Sequence, residues 1–461
     1  MNATNRVMLR AQGVATRVLV SSDNRRVIAA AVLVGVLTLV VKVTTLLREV
    51  LVAAKLGTSD SMESYLAAWA IPGFLSLIMS DAIVGSLLPL HARAREERGE
   101  VAAQQVFAET LLIGILLLLA VTAVLAMLPQ VLLPILASNF DAEKLALTSW
   151  LWSIMLPAVF INGLAAIWTG MLHAGNRFGL AALGPVAAPI VSGIGLLVFP
   201  GRAVDALAVG FVIGNLIYLS LLGRELRRHR VRLTPGWFGG LPETRGLFRD
   251  FFPLLGNGIV FGGLPLVDTA MAATLGDRQL AVLNYGNKLV LPILGISSAA
   301  LGTVVFPYFS RLVAERKWDG LQRTLSVYTR LILAATIPLT IVLVLLSEVV
   351  VRLLFQRGEF TAADTAEVAR VQATLSLMIP FYTLGVVYSR VIISLGKSHL
   401  MLLSSMLVFV LNLVCDLLFK ELIGIQGIAL ATVINYAVQL TILYLIGQRL
   451  LRDRIAGQDR Y

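Results

Sequence analysis

The chain has 461 residues, of which 57% are hydrophobic and 14% charged, against about 25% charged in an average soluble domain. With a mean hydropathy of +0.84, this excludes a soluble globular fold, disorder and a coiled coil, and makes the bilayer the solvent for most of the chain. The formal charge of +11 reads as topology before nucleic acid, because basic residues of membrane proteins gather in their cytoplasmic loops.

A basic tail, residues 1–26, precedes the first long apolar run, which has no small-residue cleavage site, is too long for a signal peptide and is therefore a retained span. The first lobe, residues 27–222, is expected to hold spans at 27–47, 65–88, 111–128, 150–172, 180–199 and 206–222. A linker at 223–249 follows, with seven arginines and the turn-forming run from Pro235 to Gly240. The second lobe, residues 250–447, is expected to hold spans at 252–275, 282–306, 331–346, 373–395, 400–419 and 425–446, before a tail at 448–461. The fold class is thus an all-α polytopic membrane protein, with twelve transmembrane helices in two six-helix lobes around a central cavity. Most Lys and Arg outside the spans fall in segments that are cytoplasmic if both termini are inside, as the positive-inside rule requires. Cys415 stands alone inside an apolar run, and His91, His173, His229 and His399 fall in cytoplasmic connections, so neither residue type supplies an intramembrane metal site.

The two halves repeat. Tyr65 and Pro72 match Tyr285 and Pro292 at a spacing of 220, and Pro89, Arg93, Glu97 and Arg98 match Pro307, Arg311, Glu315 and Arg316 at 218. An even number of spans in each half inserts both in one orientation, giving lobes related by a pseudo-two-fold axis along the membrane normal, with substrate bound between them.

Ionisable residues at membrane depth are costly and mark functional candidates. They are Lys42, Arg48 and Glu49 in or at the end of span one, Glu63 and Asp81 in span two, Asp268 in span seven, Lys288 in span eight, Arg390 in span ten and Asp416 in span eleven. Lysines in the opening helices of both repeats suit an anion such as a pyrophosphate head group. The alternative is structural pairing of Lys42 with Asp81, or of Lys288 with Asp268. Asn412 and Asp416, four apart, share a helical face, and with Thr432 and Asp268 they could supply the oxygen ligands that sodium prefers, or serve as interhelical hydrogen-bonding groups. Gly396-Lys397-Ser398 lacks the upstream glycine of a phosphate-binding loop, and no GxSxG or HExxH is present, so the chain is read as a transporter and not an enzyme.

Leu47-Arg48-Glu49 followed by Gly57, Glu63 and Ile71-Pro72, then Tyr285 to Lys288 with Leu301-Gly302-Thr303, and the octet from Leu354 to Thr361, resemble the MurJ/MviN family of lipid II flippases within the wider MOP exporter superfamily. The resemblance covers all twelve spans. It implies alternating access for a polyprenyl-pyrophosphate-linked sugar, with cavity cations at Lys42, Arg48 and Lys288, acidic partners at Glu49 and Glu63, and a sodium site at Asp268, Asn412, Asp416 and Thr432. Two of those cations are lysines where the family has arginine, Ser76 stands at a further cavity arginine, and Asp81 stands where the family has glutamate. The family's chains have fourteen spans and this one twelve. These departures point to a flippase for an exopolysaccharide or other surface-glycan repeat unit, with lipid II as the alternative and a MATE-like cation-coupled antiporter as a further one. No cofactor is expected beyond sodium as coupling ion. The expected partners are the lipid-linked glycan, membrane lipids and a glycan synthase or polymerase, with no nucleic acid, at a bacterial inner membrane.

Overall fold

The computed structural model describes residues 22–458 apart from 176, 240–250, 257 and 261. The described residues form helices and their connections, with no strand among them, because a backbone in lipid must satisfy its hydrogen bonds within its own segment. The first lobe comprises α1 (Ser22–Leu56), α2 (Asp60–Met127), α3 (Pro129–Leu136), α4 (Ala142–Met155), α5 (Pro157–Ala174), α6 (Gly179–Leu183), α7 (Ala187–Val198) and α8 (Ala203–Arg228). The second comprises α9 (Leu264–Ala273), α10 (Gln279–Ala300), α11 (Phe306–Ala314), α12 (Trp318–Leu345), α13 (Ser347–Phe355), α14 (Ala362–Ser376), α15 (Met378–Ser394), α16 (Ser398–Ile423) and α17 (Ile425–Gln458).

By length and composition, nine helical stretches among the described residues can cross a membrane, or ten if the bent pair ending in α9 is one span. The 68-residue α2 carries two of the expected spans, parted at Gly99, whose φ of 83° no ordinary helical residue adopts. The repeat-matched prolines Pro72 and Pro292 both lie inside helices, α2 and α10, where each removes a backbone hydrogen bond.

Within the first lobe α2 packs on α5, and α7 on α8. Gly210 and Gly214 bring α8 so close to α7 that a Cβ at Gly210 would lie 2.5 Å from the Ser192 Cα, the small-residue packing that lipid favours. In the second lobe α17 packs against α15 and α16, and α10 against α14. The described part of the linker lies along the first lobe: Gln104 donates to the Arg232 carbonyl at 2.8 Å, and the buried Glu109 accepts from the Phe238 N–H at 2.7 Å. The lobes meet where α9 and α10 touch α2, α9 touches α3, and α13 touches α1. Those contacts frame the site.

Candidate functional site

Near the C-terminal end of α1, Glu49 is 4% exposed and sits between two cations. Its Oε1 is 3.3 Å from the Arg48 guanidinium, and its Oε2 is 3.0 Å from Lys288 Nζ of the other lobe. Arg48 also lies beside Tyr65 and Tyr285, so the repeat-matched tyrosines converge on one arginine. Tyr285 is held by Phe355 and Phe360 of the octet, at ring distances of 5.4 and 5.2 Å. Two positive groups thus share one carboxylate, and the cluster bridges the lobes.

Of the other residues assigned to this site, Lys42 lies seven residues before Glu49, two turns along the same face of α1. It is exposed. Asp81 is exposed as well, Ser76 is 3% exposed, and neither Lys42–Asp81 nor Lys288–Asp268 is among the ion pairs of the described residues. Lys288 pairs with Glu49 instead. Arg390 lies over the Phe306 ring at 5.8 Å, away from this cluster.

Glu63 is placed differently from the expectation. It is fully buried in the first turn of α2, where its carboxylate accepts the free N–H groups opening α10, Leu280 at 2.8 Å and Ala281 at 3.3 Å. Unpaired N–H groups and the positive end of the helix dipole draw a carboxylate to that spot. Its cation is Lys144, at 2.5 Å, which also reaches Asp60 at 2.7 Å and Asp277 at 3.3 Å and lies 4.2 Å from the Phe140 ring centre. Nothing local in the sequence marks Lys144 as the partner of a carboxylate 81 residues away.

Glu63 belongs to a latch closing the end of the lobe interface that is expected to face outward. Asp364 caps α14 by accepting the Thr361 N–H at 2.7 Å, accepts the Thr58 hydroxyl of the first lobe at 2.6 Å, and pairs with Arg278. The octet then crosses over: the Glu359 N–H donates to the Ala54 carbonyl at 3.0 Å. Gly57 and Gly358, at φ of 52° and 59°, leave no room there. A Cβ on Gly57 would sit 2.5 Å from the Glu359 carbonyl, and one on Gly358 would strike that of Ala54.

The second constellation lies within one lobe. Asp268 of α9, Asn412 and Asp416 of α16 and Thr432 of α17 converge, with the Thr432 hydroxyl 3.1 Å from Asp268 Oδ2 and 3.0 Å from the Ile428 carbonyl. Asp268 Oδ1, both Asp416 oxygens and both amide atoms of Asn412 are buried without a hydrogen-bond partner. Two adjoining carboxylates at membrane depth, with lone pairs unused, fit a bound monovalent cation: the threonine proton can go to Ile428 and leave its oxygen free. Beside them is a cavity of about 160 Å³ that Asn284, Asn287, Asn435 and Tyr436 also line. Those four carried no expectation, although Asn435 lies one turn beyond Thr432.

Two helical lobes joined by an inter-lobe charge cluster define a polytopic membrane protein. The lipid II flippase MurJ family model matches residues 52–457. The chain belongs to that family, and it is a multi-pass protein of the bacterial inner membrane. It is 28% identical over 456 residues to the "Probable lipid II flippase MurJ" of Synechocystis, covering 94% of this chain and 84% of that one. It is 24% identical over 422 residues to the "Lipid II flippase MurJ" of Thermosipho africanus, covering 91% and 85%. Among solved structures, a lipid II flippase MurJ in an inward closed conformation superposes with a TM-score of 0.79 at 22% identity, over 90% of this chain and 87% of that one. An inward-facing multidrug resistance MATE family transporter superposes with a TM-score of 0.75 at 15% identity, over 90% and 99%. Both structures show the shared fold. The relatives' names run against the expected preference for an exopolysaccharide repeat unit and favour the lipid II alternative.

Proposed function

We propose that the chain moves lipid II, a polyprenyl-pyrophosphate-linked glycan, from the cytoplasmic to the outer leaflet by alternating access, with both termini cytoplasmic. The observation that carries this reading is the Arg48–Glu49–Lys288 cluster, in which one carboxylate of the first lobe holds a cation of the second at 3.0 Å. A pyrophosphate offers more charge and more acceptor oxygens than Glu49, so it would take over both cations. That exchange breaks a contact between the lobes, which ties arrival of the head group to freedom of the lobes to move. Lys42, two turns nearer the N-terminus on the same face, would meet the head group first. An organic cation would be repelled by the same groups, which argues against the antiporter reading. Sodium at Asp268, Asn412, Asp416 and Thr432 would reset the cycle.

The test is complementation of a strain depleted of its own lipid II flippase, with lipid-linked glycans and surface polysaccharide analysed together. Wild-type chain is expected to restore growth and clear accumulated lipid II, and R48A or K288A at equal abundance is not. Failure to rescue, together with loss of one surface polysaccharide when this chain is deleted from its own host, would overturn the lipid II reading in favour of another lipid-linked glycan.

A further inference from the structure

The cavity beside the cation residues has a second set of oxygens. Asn284 from α10 and Asn435 from α17 line it together with Asp268, Asn412 and Thr432. Asn435 is 2% exposed, and its amide oxygen, like that of Asn284, is buried with no hydrogen-bond partner. Buried polar atoms are ordinarily satisfied, and in a membrane interior a helix partner or a bound species must do it. Here two neutral oxygens stay unpaired in the wall of one cavity, which at about 160 Å³ has room for a small ion with part of its water shell.

Neutral amide oxygens and carboxylates treat a cation differently. Amide oxygens replace hydration water without fixing the ion by net charge, so an ion can enter and leave, whereas a pair of carboxylates retains it. Spacing along the helices places the two sets side by side. Asn435 follows Thr432 by three residues on α17, and Asn284 precedes Lys288 by four on α10, so each asparagine lies one turn from a residue of an assigned site.

We propose that Asn284 and Asn435 form an antechamber of the cation site, a neutral-oxygen station through which a monovalent cation passes to Asp268 and Asp416. Through Asn284 the station shares a helix with Lys288. Cation occupancy and the grip on the anionic head group therefore act on one rigid element. The inference rests on the cation-coupled reading above.

The experiment titrates sodium chloride, against a choline chloride background, into purified full-length protein in detergent. It reads the melting temperature and bound radioactive sodium. Wild type is expected to show saturable stabilisation, and Asp416→Ala none. Asn284→Leu and Asn435→Leu should raise the apparent Kd for sodium at least tenfold, while Asn435→Asp, which keeps an oxygen in place, binds as tightly as wild type or more so. The melting temperature in choline alone reports whether each variant is folded, and Asn435→Ser replaces the leucine variant should that one fail. Leucine variants that titrate like wild type while Asp416→Ala does not respond would overturn the antechamber and leave the cation site standing. A wild type indifferent to sodium would overturn the cation reading, and the antechamber with it.

Discussion

The cationic cluster at Glu49 and the acidic cluster at Asp416 are both buried, both charged and both at membrane depth, yet they are built in opposite ways. The first joins two lobes through ion pairs, Arg48 and Lys288 each contacting Glu49, although Arg48 Nε and the Tyr285 hydroxyl have no hydrogen-bond partner. The second comes from three helices of one lobe and has five buried atoms without a partner. A contact between lobes must break whenever they part, so its groups need a ligand that can replace them. A cluster inside one lobe travels as a unit and can keep an ion while the lobes move. On the function proposed above, substrate recognition would sit on the moving interface and the coupling ion on a fixed frame.

The comparison breaks most completely at the acidic cluster. Asp268→Ala combined with Asp416→Ala should abolish complementation at normal membrane abundance; a double variant that still supports growth would reduce the cluster to helix packing. At the interface, Lys288→Ala should weaken binding of undecaprenyl pyrophosphate by about 2–5 kcal/mol, the usual cost of truncating one partner of a buried charge pair. Lys288→Arg keeps the charge and should lose less, so equal losses in a filter-binding assay would argue that the charge is not what matters.

The latch tests whether the interface is held from its outer end. Lys144→Ala leaves the fully buried Glu63 without its cation, an expected loss of about 3 kcal/mol visible as a lower melting temperature. Gly358→Ala places a Cβ against the Ala54 carbonyl at a φ of 59° and should cost about 1–3 kcal/mol. It should also speed maleimide labelling of a cysteine at Thr58, 3% exposed in the latched state, and an unchanged labelling rate would mean the latch does not depend on that close approach. The smallest effect is expected at Asp81, exposed and outside the ion pairs of the described residues: Asp81→Asn should stay within about 0.5 kcal/mol of wild type and leave complementation intact.

Much of this was legible in the chain. Periodicity placed Asn412 and Asp416 on one face, their oxygen chemistry grouped Thr432 and Asp268 with them, and the resemblance implied the same four. Lys288 was singled out because charge in an apolar run is conspicuous. Its partner was not legible: the pairing the sequence offered was with Asp268, twenty residues away, whereas Lys288 meets Glu49 of the other lobe. Glu63 teaches a related lesson: its acidity was evident, but the helix start that its carboxylate meets lies 217 residues on. Asn284 and Asn435 passed unremarked because an isolated asparagine in a span is ordinary until its oxygen is found without a donor.

By itself the sequence determined that the chain is helical, that it lives in a bilayer and which residues carry charge within its apolar runs, because hydropathy and periodicity are local quantities. Only the tertiary structure decided which charges meet: Glu49 with Lys288, Glu63 with Lys144, and Asp364 with Thr58 across 306 residues. A helix fixes the direction of each side chain, whereas the neighbour that direction finds is set by how two lobes pack, and no local pattern records that.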